Sequence, residues 1–179
     1  MSIKRFSKRA VLTLLPVVAV MSAATLSACS GDGEDSGTEY VMTIDLDTAD
    51  APLLVVNEVG AQKEHRYGEA RLVGSAEFAG EQVEVELLAI INYLNGNGPF
   101  SGFWTFTAPN GDRLAFTYAG STEQRDGAGT LRGEVEVLGG TGRFVNVTGS
   151  GVVDGRRNGE FGSGTVITYT ITMNLDGLA

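Results

Sequence analysis

One cysteine and one histidine are all that this chain of 179 residues holds of the two most versatile catalytic side chains. A lone cysteine has no partner for a disulfide. A lone histidine cannot build a multi-histidine metal site, and His65 sits in the polar run Gln62-Lys63-Glu64-His65-Arg66, which reads as an exposed loop between strands. No Gly-x-Ser-x-Gly segment accompanies it, so a serine triad has no motif to rest on. Positive charge is scarce as well: 13 lysines and arginines face 22 acidic residues, for a formal net charge of −9. That balance argues against a nucleic-acid partner, whose phosphates demand clustered Lys and Arg, and against a peripheral grip on anionic lipid headgroups. A long membrane-spanning run is missing too: the apolar stretch from Ala10 to Ala24 has 15 residues, where a helix crossing a bilayer needs about 20.

What the N-terminus does contain is a basic start (Lys4, Arg5, Lys8, Arg9), that apolar stretch, and the segment Leu26-Ser27-Ala28-Cys29. A positive region, a short apolar region and small residues at a cut describe a bacterial secretion signal. The segment ending in Cys29 resembles the lipobox of bacterial lipoproteins; an ordinary signal peptide is the competing reading. The lipoprotein resemblance implies loss of residues 1–28, a diacylglycerol on the Cys29 thiol, and an extracytoplasmic place in the cell envelope, anchored to membrane lipid. Each buried methylene contributes about 0.8 kcal/mol, so two or more acyl chains hold without help from the polypeptide. An acylated Cys29 leaves no thiol for nucleophilic work.

Cleavage after residue 28 of 179 leaves 151 residues with nine basic and 22 acidic side chains, a formal charge of −13 and chain enough for one domain. Residues 29–38 read as the acylated cysteine and a flexible tether, since Ser30 to Thr38 carry no apolar side chain to offset the entropy of ordering. Asp32, Glu34, Ser36 and Gly37 imitate half a calcium loop, but Thr43 stands where the bidentate acid belongs. Asp45, Asp47 and Asp50 cluster at the end of the first strand, either as a solvated strand end or as a cation site short of ligands. No metal and no cofactor is expected. Residues 39–179 form the folded domain.

In that domain the apolar period is two and the punctuation is glycine. Val41–Leu46, Leu53–Asn57, Ala70–Phe78, Gln82–Leu94, Phe100–Thr107, Arg113–Ala119, Thr130–Leu138, Phe144–Val153 and Thr165–Leu175 each read as strand. Between them lie turn-forming breaks at Asn95-Gly96-Asn97-Gly98, Pro109-Asn110-Gly111-Asp112 and Asp126-Gly127. Val83, Val85 and Leu87 alternate with Glu84 and Glu86, and Val135 and Val137 with Glu134 and Glu136, the pattern of a sheet wet on one face. A barrel and a two-sheet sandwich both satisfy this alternation.

Two passages carry a family resemblance. Phe100-Ser101-Gly102-Phe103-Trp104-Thr105-Phe106 precedes Gly111-Asp112-Arg113-Leu114-Ala115-Phe116-Thr117-Tyr118, and Gly139-Gly140-Thr141-Gly142-Arg143-Phe144 follows. The last is similar to the Gly-Gly-Thr-Gly-x-Phe segment of allene oxide cyclases, plant dirigent proteins and bacterial secreted proteins with the same barrel. The resemblance spans roughly residues 70–175. It implies an all-β, closed antiparallel eight-stranded barrel with an apolar cavity, often assembled as trimers. Gly139, Gly140 and Gly142 read as a structural turn from which Phe144 re-enters the core, not as a phosphate loop, since no Gly-Lys-Ser/Thr follows.

Trp104, Phe106, Phe116, Tyr118 and Tyr169 are the cavity-lining and ligand-binding candidates, with plain core packing as the alternative. Leu87 to Ile91 is apolar on both faces, which marks a covered surface or an interface of a homo-oligomer such as a trimer. Two functions follow from this reading. One is a non-enzymatic envelope module that binds a small hydrophobic ligand or a partner. The other is a cyclase or isomerase working inside the barrel, with its catalytic residues unassigned.

Overall fold

The computed structural model describes residues 37–162 and 164–178, so Cys29 and its lipobox, the signal segment and most of the tether lie outside the described residues. Among the described residues there are nine strands and two short 3-10 turns, and no α-helix: β1 (Thr38–Asp47), β2 (Leu53–Val59), β3 (His65–Phe78), β4 (Glu81–Leu94), β5 (Gly98–Thr107), β6 (Arg113–Arg125), β7 (Ala128–Gly140), β8 (Thr148–Asn158) and β9 (Val166–Asp176). All pair antiparallel in one sheet of order β1-β9-β8-β7-β6-β5-β4-β3-β2, which curves into a half-barrel.

Alternation decides which face turns inward. Along β4 the odd positions from Val83 to Tyr93 are buried, while the even positions Glu84, Leu88, Ile90 and Asn92 face out. A one-residue slip would expose the whole inward set. Each large apolar side chain hidden this way contributes roughly 1.5–3 kcal/mol, and the inward set draws on every strand except β2, whose Leu54 and Val56 pack against it half-buried.

The hairpin turns follow the local chemistry. Asn95-Gly96, Asp126-Gly127 and Ala79-Gly80 all hold positive φ at both positions, as a two-residue turn matched to the strand twist requires. The first two were legible as turns. Ala79, at φ 51°, is not a residue that announces such a turn.

Nine strands are hydrogen-bonded, as the alternation read them, where the family resemblance implied eight. The extra one arises because the first β stretch is interrupted at Thr48–Asp50, a 3-10 turn capped by Asp47, whose carboxylate accepts from the Ala49 amide at 2.8 Å. Before the break β1 pairs with β9; after it β2 pairs with the first half of β3. β1 also runs beside the second half of β3 without ladder pairing. A Cβ on Gly74 would strike Leu46 and come within 3.2 Å of the Asp45 carbonyl, and the Tyr40 and Phe78 rings are 5.5 Å apart.

Thr48 pins the break. Its hydroxyl shares its single proton between the carbonyls of Gly162 (2.6 Å) and Thr165 (2.9 Å) and accepts from the Thr165 amide (2.8 Å), while its own amide reaches the Thr165 carbonyl at 3.0 Å. Several expected boundaries move, β6 running to Arg125 and β8 to Asn158. Phe144 to Val147 are not strand: Gly142–Phe144 is a 3-10 turn and β8 starts at Thr148, because Phe144 must turn inward to fill the core. His65 is not in the loop but opens β3, with an exposed side chain.

Replacing Thr48 by valine keeps the shape and removes the hydroxyl, leaving the buried Thr165 amide without its acceptor. The expected loss is about 1–3 kcal/mol, read from the midpoint of urea denaturation with an unchanged m-value.

Candidate functional site

The half-barrel interior is divided along its length. At the end carrying the β3–β4, β5–β6 and β7–β8 connections phenylalanines dominate, with Phe78 5.5 Å from Phe106 and 6.2 Å from Phe144, and Phe106 5.0 Å from Phe116, while Tyr40 and the Glu81–Arg143 pair stand at the rim. Toward the other end, where β4 meets β5, β6 meets β7 and β8 meets β9, the aromatic rings acquire polar handles. Tyr118 stacks on Phe100 at 4.7 Å, and Trp104 stands edge-on to Tyr118 (5.8 Å) and Tyr169 (5.1 Å). Tyr93 accepts a hydrogen bond from Thr122 at 2.9 Å, both side chains being buried.

All five candidates picked from sequence, Trp104, Phe106, Phe116, Tyr118 and Tyr169, are buried and inward, but they do not form one site. Phe106 and Phe116 belong to the apolar end; Trp104, Tyr118 and Tyr169 touch one another in the polar half. The Trp104 indole N–H is buried without an acceptor among the described residues, and such a group normally finds a partner.

Burial raises the pKa of the three fully buried tyrosines, Tyr93, Tyr118 and Tyr169. For Tyr118 it lifts the phenol well above its usual value, with the neighbouring Tyr169 and Tyr93 adding to the rise. Tyr169 is likewise raised by burial. Tyr93 is raised by burial, and its Thr122 hydrogen bond and the nearby Arg157 guanidinium pull it partly back. Neutral phenols at pH 7 donate hydrogen bonds and do not serve as bases. The buried polar and charged residues among those described are Thr48, Thr122, Arg157 and Thr165, with no carboxylate in the set.

Arg157, Tyr93, Thr122 and Phe161 escaped the sequence reading. Arg157 is only 2% exposed. The signal was present: Val153, Gly155 and Arg157 share the inward parity of β8, but the strand had been expected to end at Val153. Phe161, on the β8–β9 connection, packs edge-on to Tyr93 at 6.4 Å and lines a groove of about 540 Å³ with Val56, Asn57, Glu58, Arg66 and Glu160. This groove lies between β2 and that connection.

Of the three segment glycines expected in a turn, Gly139 and Gly140 close β7 and Gly142 opens the 3-10 turn. Gly142 has φ 56°, and a Cβ there would collide with the Asp112 carboxylate. That carboxylate accepts from the Arg143 amide at 3.1 Å, while Thr141 accepts from the Arg113 amide at 2.9 Å. Gly139 opposes Ala115 at a β-bulge, and a Cβ on Gly140 would sit 2.5 Å from Phe144 Cβ. Phe144 is fully buried and Arg143 lies over its ring at 4.6 Å. In the aspartate cluster, Asp45 accepts from the Thr168 hydroxyl at 2.6 Å and Asp47 caps the 3-10 turn. No metal-ligating cluster occurs among the described residues.

No protein-family model matches this chain, and no curated protein matches it.

The raised tyrosines set a pH limit on stability. Below the unfolded phenol pKa of about 10 neither state carries the charge and nothing is lost. Between that value and the higher folded pKa the unfolded chain alone releases its proton, so stability falls by about 1.4 kcal/mol per pH unit for each tyrosine. Urea titrations at pH 9, 10 and 11 are expected to show a steepening loss, and Tyr118→Phe with Tyr169→Phe to shrink it.

Proposed function

We propose that this chain is an extracytoplasmic lipoprotein, anchored through acylated Cys29, whose domain is an allene oxide cyclase or dirigent-like barrel that binds a small hydrophobic ligand in the polar half of its interior. In this reading β1 and β2 are one strand broken at Thr48, which gives eight staves. The close approach of β1 to β3 at Gly74 and at the Tyr40–Phe78 contact supports closure along that seam.

One observation carries the binding role: the interior holds buried donors set in aromatic walls, the Trp104 indole N–H with no acceptor among the described residues and the phenols of Tyr93, Tyr118 and Tyr169. Small-molecule sites are built in this way, from apolar surface and a few convergent polar groups. A core meant only for stability has no use for an unpaired buried donor, which costs about 1–3 kcal/mol.

The second reading, a cyclase or isomerase, rests on the same tyrosines. It is the weaker one because their raised pKa values remove them as bases near neutral pH, and the inward-parity carboxylate with a buried oxygen, Glu81, lies at the opposite end of the sheet, paired with Arg143. A proton donor alone suits binding and orientation.

The outer face supports a homo-oligomer, a trimer on the family resemblance. Leu88 and Ile90 on β4 and Phe103 on β5, which pairs with Leu88, are 44%, 47% and 48% exposed. Together they make an apolar patch that a second copy would cover.

Mass spectrometry of the protein taken from its own envelope tests the proposal. Under denaturing conditions the expected mass lacks residues 1–28 and carries added acyl chains, and Cys29→Ser abolishes both changes. Under native conditions a retained small molecule and a multimer are expected. A bare monomer with an uncut N-terminus would overturn the reading. Leu88→Glu with Phe103→Glu is expected to convert the multimer to monomer by light scattering, with less than about 1 kcal/mol change in stability, since surface substitutions rarely cost more.

A further inference from the structure

Arg157 is the charge that the fold buries without balancing. Its side chain lies on the inward parity of β8, and its guanidinium sits 5.5 Å from the Tyr93 ring and 5.9 Å from the Phe161 ring. Nη2 donates to the Gln124 side-chain oxygen at 3.3 Å. Nε and Nη1 are buried and have no acceptor among the described residues.

Arginine stays protonated in proteins, so burial cannot neutralise it. Ring faces, the Tyr93 phenol and one amide oxygen recover part of the lost hydration, and the remaining donors need an acceptor. The two acids closest along the chain do not supply it: Asp154, three residues back, pairs with Arg132 at 3.5 Å. Glu160, three residues on, pairs with Arg66 at 2.5 Å, and Arg66 also binds Glu58 at 3.3 Å.

Room for the guanidinium is built in. Gly129 on β7 pairs with Arg157 in the ladder, and a Cβ there would come within 2.9 Å of both Cζ and Nε. Phe161 is the link to the outside: the ring that lies against the guanidinium also lines the groove beside β2.

We propose that Arg157 is an anion-binding residue, which receives the carboxylate or phosphate headgroup of a small organic anion whose apolar body lies against the Tyr93, Tyr118, Tyr169 and Trp104 half of the interior. This rests on the interior-ligand reading above and adds the charge of the ligand to it. The headgroup takes the free Nε and Nη1 donors. Trp104 and the phenols meet the rest of the molecule.

Octanoate and octanol differ in headgroup and share a tail, and Trp104, the only tryptophan in the chain, reports binding of either by fluorescence. The full-length protein is expected to bind octanoate about ten-fold or more tightly than octanol, the ratio one charge-assisted hydrogen bond supplies. Arg157→Gln is expected to bring the two affinities together. Equal binding of the two probes by the natural protein overturns the proposal and leaves the interior-ligand reading standing. Binding of neither overturns both. A preference that survives in Arg157→Gln also overturns it, and if that variant does not fold, the octanoate-to-octanol ratio of the natural protein decides alone. Competition by inorganic phosphate supports a free oxyanion as the occupant; octanoate binding that phosphate leaves untouched supports an anion held jointly by headgroup and tail.

Discussion

One constraint governs the structure: every strand has one face for water and one for its neighbours, and the inward face has to be filled. With no helix among the described residues to cover the sheet, the sheet must cover itself, and it does so by curving. The aromatic residues therefore stack across the hollow face from strands distant in sequence, Tyr40 to Phe78 and Trp104 to Tyr169. Curvature needs relief in the ladder, which the bulge opposite Ala115 and Phe116 provides.

Filling the hollow in two different ways gives it a direction. Phe78, Phe106, Phe116 and Phe144 fill one end, where the Gly142–Phe144 turn folds inward. The buried tyrosines, the single tryptophan and Arg157 occupy the other. A core of uniform chemistry would stabilise at least as well, because polar groups in an interior add stability only when paired. The unpaired indole and guanidinium nitrogens mark the half whose composition stability alone does not explain.

Much of the fold was legible because alternation is a backbone property that local sequence displays. Val83 to Tyr93 reads as a half-buried strand without knowledge of any partner, and Asn95-Gly96 reads as a turn by residue chemistry alone. What escaped were effects of partners far along the chain. The hydrogen bonds that hold Thr48 to Gly162 and Thr165 reach across more than a hundred residues, and a 3-10 turn replaces the expected strand start at Phe144, where the ring meets Phe78. The site was half legible: aromatic residues at inward parity pointed to Trp104, Tyr118 and Tyr169. Arg157 was hidden because a charged residue is ordinarily taken as the end of a buried strand, whereas here Gly129 across the ladder yields the volume that lets the strand continue.

The pairing of β1 with β9 joins the first strand to the last, with Met42 opposite Ile171. Every other ladder is a local hairpin. Hairpins can zip as soon as both arms exist, but this pairing must wait for the chain to close a loop of more than a hundred residues, the slow kind of step in β folding. During synthesis β1 therefore emerges first and is satisfied last, a nascent edge with its inward Met42, Ile44 and Leu46 uncovered until the C-terminal strand arrives. The time between those two events is when an unfolded copy is most exposed to its neighbours.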